Sequence, residues 1–369
     1  MRERRLHEDQ VHVLEQIIQM VRDHKPDVVL IAGDIYDRPV APAPSMELFD
    51  HFISTVGLEL NTPVVVIPGN HDSAERIGHF RRLLNNTPVH LVGKISADLT
   101  PLVLEDEHGP YEIFGLPYLY PAHVKAALGE DSQVKDAESA TQAMVKRIHE
   151  TATTDRRVLV AHAFVMGGQV CDSEQNIVGN VTGVPADVFN DFSYVALGHL
   201  HRPQKIGSER VQYSGSILKY SASEVNYTKS VNLLEIDGDG KMSHFERLPL
   251  TPIRDLRVVT GTFEEILKEA GENPSEDFIL AHIDDSHTIP NAMSRLQAHY
   301  PNCLHIRPTF LDKDDPDYVA SSDVRNKNMK EVFTEFWQLH NDEVPGNDLI
   351  ELFQEALTQA EKEARGGEG

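Results

Sequence analysis

The sequence predicts a layered α/β fold followed by a small α+β domain and a helical tail. Short, continuous apolar strands alternate with helical segments in the first 200 residues, which is typical of a layered α/β architecture. Shorter, alternating β pieces follow, and the pattern beyond residue 321 is helical. At 369 residues the chain exceeds one average domain. We predict three regions, namely residues 1–250, 251–320 and 321–369.

The first region starts with a helix, because apolar residues recur every three to four positions until Lys25 and Pro26. Four apolar strands come next along the chain. They cover residues 28–32, 64–67, 158–161 and 194–197, and their unbroken apolar character indicates burial on both faces. The segments 73–85 and 136–150 have helix-like composition.

The second half of the chain is predicted to contain shorter elements. Two strands, at 211–216 and 230–236, precede the hairpin turn Asp237–Gly240, and residues 248–252 read as a linker. The small domain should then contain helices at 262–270 and 290–299 and strands from residue 253, at 278–283 and at 304–308. Two helices are expected in the tail.

Composition limits the classes of protein to which the chain can belong. No apolar run reaches the roughly 20 residues that a bilayer span needs, and Met1 to Arg5 precede no signal-peptide core, so we expect a cytoplasmic protein without membrane association. Cys171 and Cys303 match no zinc spacing and should be buried thiols. The net charge is -24, so the chain as a whole does not show the excess of basic residues that is usual in a protein that binds DNA alone. Binding a polyanion would require metal ions, a local basic patch or a partner subunit.

Each of the four strands is followed by polar residues of the kind that bind metals. After strand 64–67, Pro68 and Gly69 lead into Asn70, His71 and Asp72, which alone could be an ordinary turn. The other strands lead to the same kind of side chain. The candidate metal ligands are Asp34, Asn70, His162, His199 and His201. A repeated pattern favours a metal site, and mixed nitrogen and oxygen ligands suit Mn, Fe or Zn better than Mg or Ca.

These residue types suit hydrolysis of a phosphate ester. One carboxylate such as Asp34 can bridge two cations, while neutral ligands complete each shell without repelling a phosphate. Two such cations activate a water for in-line attack on phosphorus. The leaving oxygen then needs a proton or a hydrogen-bond donor. His71 is the candidate, and Asp72 is expected to hold its imidazole.

The order of these motifs resembles that of a known superfamily. Gly33-Asp34, Gly69-Asn70-His71-Asp72, the isolated His162 and Gly198-His199-Leu200-His201 resemble the signatures of calcineurin-like metallophosphoesterases. With the downstream Tyr213–Ser216, the small domain and the tail, the chain is most similar to the SbcD nuclease family. That resemblance implies a layered β-sandwich flanked by helices, with an α+β capping domain.

The resemblance also implies a role for each site residue. Asp34 would bridge two divalent ions, expected to be Mn. Asn70, His162 and His199 would bind one ion and His201 the other, and His71 would stabilise the transition state.

The same resemblance implies a substrate and partners. The substrate would be DNA, with duplex ends digested exonucleolytically and single strands or hairpins cut endonucleolytically. The partner would be an SbcC-type ATPase, with a homodimer inside a heterotetramer, in DNA repair, recombination and replication. Phe333, Phe336 and Trp337 could be anchors for the ATPase or could pack internally.

One expected motif does not occur in the sequence. The family begins with a strand that ends in Asp-x-His and supplies two ligands, and this chain has no such element. Asp9 and His12 have the wrong spacing and lie in a predicted helix. Either the natural start lies upstream, which the intact downstream ligands favour, or catalysis has been weakened. The alternatives to a nuclease are therefore a non-catalytic scaffold that binds DNA ends or the ATPase, and a phosphodiesterase acting on smaller substrates.

Overall fold

The computed structural model describes residues 6–308 apart from 85, 130–131, 173, 175–182 and 288. Beyond residue 308 it describes 330, 333–334, 337, 345–346, 349–350 and 352–354. The chain forms two units. One comprises Met1–Val258 with Glu276–Ile279, and the other comprises Val259–Ser275 with Leu280–Gly369.

The first unit contains most of the regular structure. Its helices are α1 (His7–His24), α2 (Ala43–Ser54), α3 (Ala74–Ile77), α4 (Pro121–Leu128) and α5 (Ala137–Thr151). Its strands are β1 (Val29–Ala32), β2 (Val64–Ile67), β3 (Val89–Leu91), β4 (Leu102–Asp106), β5 (Gly109–Leu116), β6 (Arg157–His162), β7 (Tyr194–Gly198), β8 (Gln204–Ile206), β9 (Ser208–Tyr213), β10 (Ser230–Ile236) and β11 (Met242–Pro249).

These strands form two larger sheets and a hairpin. One sheet has the order β1-β2-β3, and all its strands are parallel. The other has the order β4-β5-β6-β7-β9-β8, in which β5, β6, β7 and β9 are parallel. Strands β10 and β11 pair antiparallel around the predicted turn. Parallel strands place their carboxyl ends on one edge of a sheet, where the candidate ligands lie.

The layers follow from which side chains share a core. In β2, Val65 and Ile67 pack with Val158 and Val160 of β6, so the two sheets lie face to face. The alternate residues Val64 and Val66 pack against α1 and α2 instead. Leu159 and Ala161 of β6 pack against α5. Strands β2 and β6 therefore have two buried faces, and the predicted layered α/β fold is confirmed.

Strand β1 is less enclosed than β2. All four residues of β2 are buried, whereas all four of β1 are half-buried. Strand β1 lies at the end of its sheet and, within the described part of the chain, pairs only with β2.

Three strands and two helices follow β11 along the chain, where the small domain was predicted, and the bounds of that domain stay a prediction. A three-stranded sheet has the order β12 (Leu256–Gly261), β13 (Phe278–Ile283) and β14 (Cys303–Pro308). Helix α6 (Phe263–Glu272) begins with a capping box between Thr262 and Glu265, and α7 is Ala292–Gln297. No helix in the described ranges is both long and apolar enough to cross a membrane.

Several predictions of secondary structure were incomplete. The predicted helix 73–85 is only the four-residue α3, which ends at Gly78 before a series of turns. Helices α2 and α4 were not predicted, although each has a proline in its first turn, a recognised start signal. Most of the predicted helical tail, including Phe336, lies outside the described residues. Within the described pieces, Phe333 stacks on Phe353 with ring centroids 4.2 Å apart.

Candidate metal centre

Four of the five predicted ligands meet where the two sheets face each other. Asp34 follows β1, Asn70 follows β2, His162 ends β6 and His199 follows β7. Strands β6 and β7 are parallel neighbours in which His162 is paired with Gly198, so the two histidines leave the sheet side by side. The Nδ1 atom of His162 lies 2.7 Å from the carbonyl oxygen of Ala32 and so links β6 to β1.

The potential ligand atoms of these residues point at one another. The Nε2 atom of His162 lies 3.2 Å from Oδ2 of Asp34 and 3.0 Å from Oδ1 of Asn70. The same Asn70 oxygen lies 2.9 Å from Nδ1 of His199. Ligand atoms of Asp34, His162 and His199 all fall within 4.8 Å of one another. The cluster is compact enough to surround one cation.

The chemistry of these atoms fits a metal ion. If His162 donates its Nδ1–H to Ala32, its Nε2 atom carries a lone pair. That lone pair then faces two oxygens that are themselves acceptors, from Asp34 and Asn70. A group of converging acceptors is stabilised by a cation. The bond to a backbone carbonyl also fixes the imidazole orientation, as in known metal sites.

Three glycines allow the strand ends to approach this closely. A Cβ atom at Gly198 would overlap the Ala32 carbonyl oxygen and lie 2.9 Å from Nδ1 of His162. A Cβ atom at Gly69 would overlap the carboxylate of Asp34. One at Gly33 would overlap the His162 ring. Any side chain at these positions would push the ligands apart.

Two ligands have an unusual backbone conformation. Asp34 has φ of 50° and His199 has φ of 106°, in a region that non-glycine residues rarely adopt. Such strain persists only where surrounding structure enforces it. Here the conformation is enforced by the close approach of the strand ends at Gly33, Gly69 and Gly198.

Asp72 fixes the loops rather than the imidazole of His71. Its carboxylate accepts hydrogen bonds from the backbone N–H groups of Ile35, Tyr36 and Gly69, at 3.1, 3.0 and 2.9 Å. The prediction that Asp72 holds His71 was wrong, because these amides occupy its oxygens. His71 instead donates its backbone N–H to Asp34, and its Nδ1 lies 3.0 Å from the Asp37 carbonyl oxygen.

The pKa values of Asp34 and His199 suit metal binding. Burial raises the pKa of Asp34, but its contacts with His162 and with the backbone N–H of His71 outweigh burial and lower the pKa to about 2. Burial, together with the neighbouring His162, lowers the pKa of His199 to about 3. At neutral pH the site therefore contains a carboxylate and a neutral imidazole, which are the forms that bind metals.

His201 lies in a different set of contacts. Its Nδ1 atom is 3.2 Å from Oε1 of Glu224, and its backbone N–H donates to Glu174. Lys229 donates to Glu224 at 2.6 Å and to the carbonyl oxygen of His201 at 2.8 Å. Glu174, Glu224 and Lys229 are buried. Within the described residues His201 is not part of the cluster around His162, and its role as a ligand stays a prediction.

Sequence reasoning did not find the buried acids and lysine around His201. Glu174 and Lys229 lie in loops and Glu224 ends a three-residue 3₁₀ helix, so no apolar periodicity marks them and only the folded chain brings them together. Asp9, which lies on α1, is also buried, and its carboxylate forms an ion pair with Arg254 at 2.6 Å. This contact agrees with the expectation that Asp9 does not replace the missing ligand.

Comparisons with known proteins bear on the same regions. The Calcineurin-like phosphoesterase family matches residues 6–203. The SbcD C-terminal family, described as the Type 5 capsule protein repressor C-terminal domain, matches residues 252–341. The SbcD subunit of the nuclease SbcCD from Staphylococcus epidermidis is 28% identical over 344 residues, which are 92% of this chain and 90% of that protein.

Two solved structures are distant neighbours. The NAD nucleotidase NadN of Haemophilus influenzae has a TM-score of 0.31 and 17% identity over 66% of this chain and 43% of its own. The calcineurin-like phosphoesterase YfkN of Bacillus subtilis has a TM-score of 0.31 and 12% identity over 65% of this chain and 81% of its own.

Proposed function

The chain belongs to the calcineurin-like phosphoesterase family, and within it to the SbcD family, and from this premise we propose that it is a DNA nuclease subunit working with an SbcC-type ATPase. Family membership makes the protein a metal-dependent phosphodiesterase. The observation that supports the nuclease proposal most strongly is the convergence of Asp34, Asn70, His162 and His199 in a chain that matches an SbcD protein along nearly its whole length.

The proposed ligands divide into two groups. Asn70, His162 and His199, together with Asp34, would hold one divalent ion, proposed to be Mn. Asp34 and His201 would contribute to holding a second ion. When bound, such ions supply Lewis-acid stabilisation of the phosphate and lower the pKa of water. The neutral amide of Asn70 and the neutral imidazole of His199 limit repulsion of the phosphodiester charge.

His71 is proposed to donate a hydrogen bond or proton to the departing oxygen. Its backbone is tied to Asp34 and its Nδ1 to the Asp37 carbonyl, so the imidazole is fixed beside the ligands without being one of them. The Nε2 atom is the remaining hydrogen-bonding atom of the ring. A group held in this way can act on substrate without leaving the metal site incomplete.

The substrate and assembly are proposed from the relative. Its name describes one component of an SbcCD nuclease, and we propose that this chain forms a homodimer within a heterotetramer with the ATPase. The expected reactions are exonucleolytic digestion of duplex ends and endonucleolytic cleavage of single strands and hairpins, in repair and recombination. Phe333 and Trp337 are proposed contacts for the ATPase. A partner would also supply positive charge that a chain of net charge -24 lacks.

The test is Mn²⁺-dependent cleavage of end-labelled duplex, hairpin and single-stranded DNA, with and without the ATPase. We expect cleavage by the wild-type chain and none by Asp34→Ala. Asp23→Ala, an exposed carboxylate on α1, is the matched control and should cleave normally. Binding of DNA and ATPase without any cleavage would support the scaffold alternative instead.

A phosphodiesterase acting on small substrates is the second candidate, and the strongly acidic net charge favours it. Rapid hydrolysis of cyclic or short nucleotides, with no cleavage of DNA in the presence of the ATPase, would establish that candidate and contradict the nuclease.

A further inference from the structure

Aromatic rings lead away from the metal centre along the loop between β5 and α4 and into the first turn of α4. The rings are those of Tyr118, Tyr120 and His123, here called the ring series. The loop is fixed rather than loose, because the backbone N–H of Tyr118 donates to the carbonyl oxygen of Pro68 at 3.1 Å. Pro68 immediately precedes the Gly69-Asn70 turn. The first ring is therefore tied to the strand end that carries a proposed ligand.

Ring distances show that the series starts at the ligands. The Tyr118 centroid lies 6.1 Å from that of His199, with the rings 29° from parallel, and 6.1 Å from that of His162. Tyr120 follows at 4.8 Å from Tyr118, and His123 at 5.2 Å from Tyr120. The rings thus form a continuous path from His199 outward.

The series becomes more exposed as it leaves the centre. Tyr118 is half-buried, Tyr120 is 45% exposed and His123 is exposed. Between the tyrosines, Leu119 is buried, and Val124 just after His123 is fully buried. These two apolar side chains anchor the loop in the core. Among the described residues no hydrogen bond joins either tyrosine hydroxyl to the protein. Because Tyr120 is also 45% exposed, packing in the core does not explain why this residue is aromatic.

We propose that the ring series stacks on unpaired bases of a DNA single strand whose backbone passes the metal centre. This inference rests on the proposed function and adds the part of the substrate that is recognised. Aromatic rings bind any base through its face, which gives affinity without sequence preference. Stacking is also independent of positive charge. It therefore suits an acidic chain better than a phosphate-binding groove of lysine and arginine.

Stacking on the ring series would favour unpaired bases next to the cleaved bond. In a duplex the base faces are already stacked on one another, so they are not available to Tyr118 and Tyr120. A frayed end, a hairpin loop or a single strand exposes them. The ring series would therefore favour opened DNA at the metal centre.

The test compares two single strands of about 12 nucleotides, one carrying thymine bases and one abasic throughout. Phosphorothioate linkages slow their cleavage, and fluorescence anisotropy in Mn²⁺ measures their dissociation constants. We expect the wild type to bind the thymine strand about 10-fold more tightly than the abasic strand. Tyr120→Ala should lose most of that preference, while Tyr120→Phe should keep it, because only the ring is required.

Phe80→Ala is the matched control, since Phe80 is an exposed aromatic residue, at 57%, outside the ring series. It should bind both strands as the wild type does. Equal loss in Phe80→Ala and Tyr120→Ala, or equal binding of both strands by the wild type, would overturn the proposal. Hydrolysis of bis(4-nitrophenyl) phosphate by the same samples separates the two claims. Active protein without base preference contradicts the stacking alone, whereas inactive protein contradicts the proposed function.

Discussion

His162 illustrates how one contact prepares a residue for metal binding. Its Nδ1 atom is occupied by the Ala32 carbonyl, so only Nε2 is directed towards Asp34 and Asn70. The sequence predicted His162 as a ligand because it ends a buried strand. It could not predict the bond to Ala32, which depends on two sheets meeting. The sequence also could not predict the partners of Asp72, because the amides of Ile35 and Tyr36 belong to another loop.

Replacing His71 separates a role in turnover from a role in metal binding. We expect His71→Ala to lower the rate of phosphodiester cleavage by about 100-fold while Mn²⁺ affinity changes little, because the imidazole is proposed to act on the departing oxygen and only the backbone N–H contacts Asp34. Turnover by steady-state kinetics and Mn²⁺ affinity by titration calorimetry check this. Loss of metal in proportion to activity would instead make His71 a ligand.

The neutral state of His199 should make the metal-free protein sensitive to mild acid. Burial and His162 lower its pKa in the folded protein to about 3, against about 6.5 in an unfolded chain. The unfolded chain thus takes up a proton first as the pH falls below about 6.5. The contribution of His199 to the free energy of unfolding then decreases by up to about 1.4 kcal/mol per pH unit.

Urea titrations of EDTA-treated protein at pH 7 and pH 5 measure this effect. The fall in stability should be larger for the wild type than for His199→Gln, whose side chain does not titrate. Asp34 contributes little to this difference, because its pKa of about 2 places its loss of stability below pH 4. Identical slopes for the two proteins would contradict a buried, neutral His199.

At the scale of elements, the sequence predicted the strands with continuous apolar runs and missed several others. Strands β2 and β6 have such runs because each contributes to two cores. Strand β5 also contributes to two cores, but Glu112 and Gly115 interrupt its apolar residues, and it was not predicted. Helix α4 was missed because it buries only Val124 completely, which leaves almost no periodic signal.

Gly198 at the end of β7 allows β1 and β6 to meet. We expect Gly198→Ala to lower the free energy of unfolding by about 1 to 3 kcal/mol and to weaken Mn²⁺ binding, because the new methyl group overlaps Ala32 and crowds His162. Gly271→Ala is the control, since nothing lies closer than 3.8 Å to the position that its new methyl group would take and it sits in a helix. That change should be neutral or stabilising by about 1 kcal/mol. Urea unfolding measures both.

For the whole molecule, a metal bound only by the folded chain should stabilise that chain. We expect Mn²⁺ at about 100 times its dissociation constant to add roughly 2.7 kcal/mol to the free energy of unfolding of the first unit. Asp34→Ala should show no such gain, and Asp23→Ala should show all of it. Thermal unfolding with and without Mn²⁺ measures the gain. An equal shift in Asp34→Ala would place the ion elsewhere.

The organisation of the whole chain was predicted in part. Apolar patterning predicted the layered architecture and the elements between residues 253 and 308, but not strands β3, β4, β5 and β8 of the first unit. The predicted boundary between residues 250 and 251 and the predicted tail stay predictions. The acidic net charge was visible in the sequence, but only the folded chain places aromatic rings beside the ligands, where they offer contacts that do not depend on charge.

The position of β1 at the end of its sheet has a consequence for the centre itself. The strand runs directly into Gly33 and Asp34, and one of its edges is not paired within the described chain. Any extended segment that aligned with that edge in parallel would finish next to Asp34. Backbone pairing at β1 would thus bring the side chains at the end of an added strand next to the ligand cluster, without changing any existing ligand.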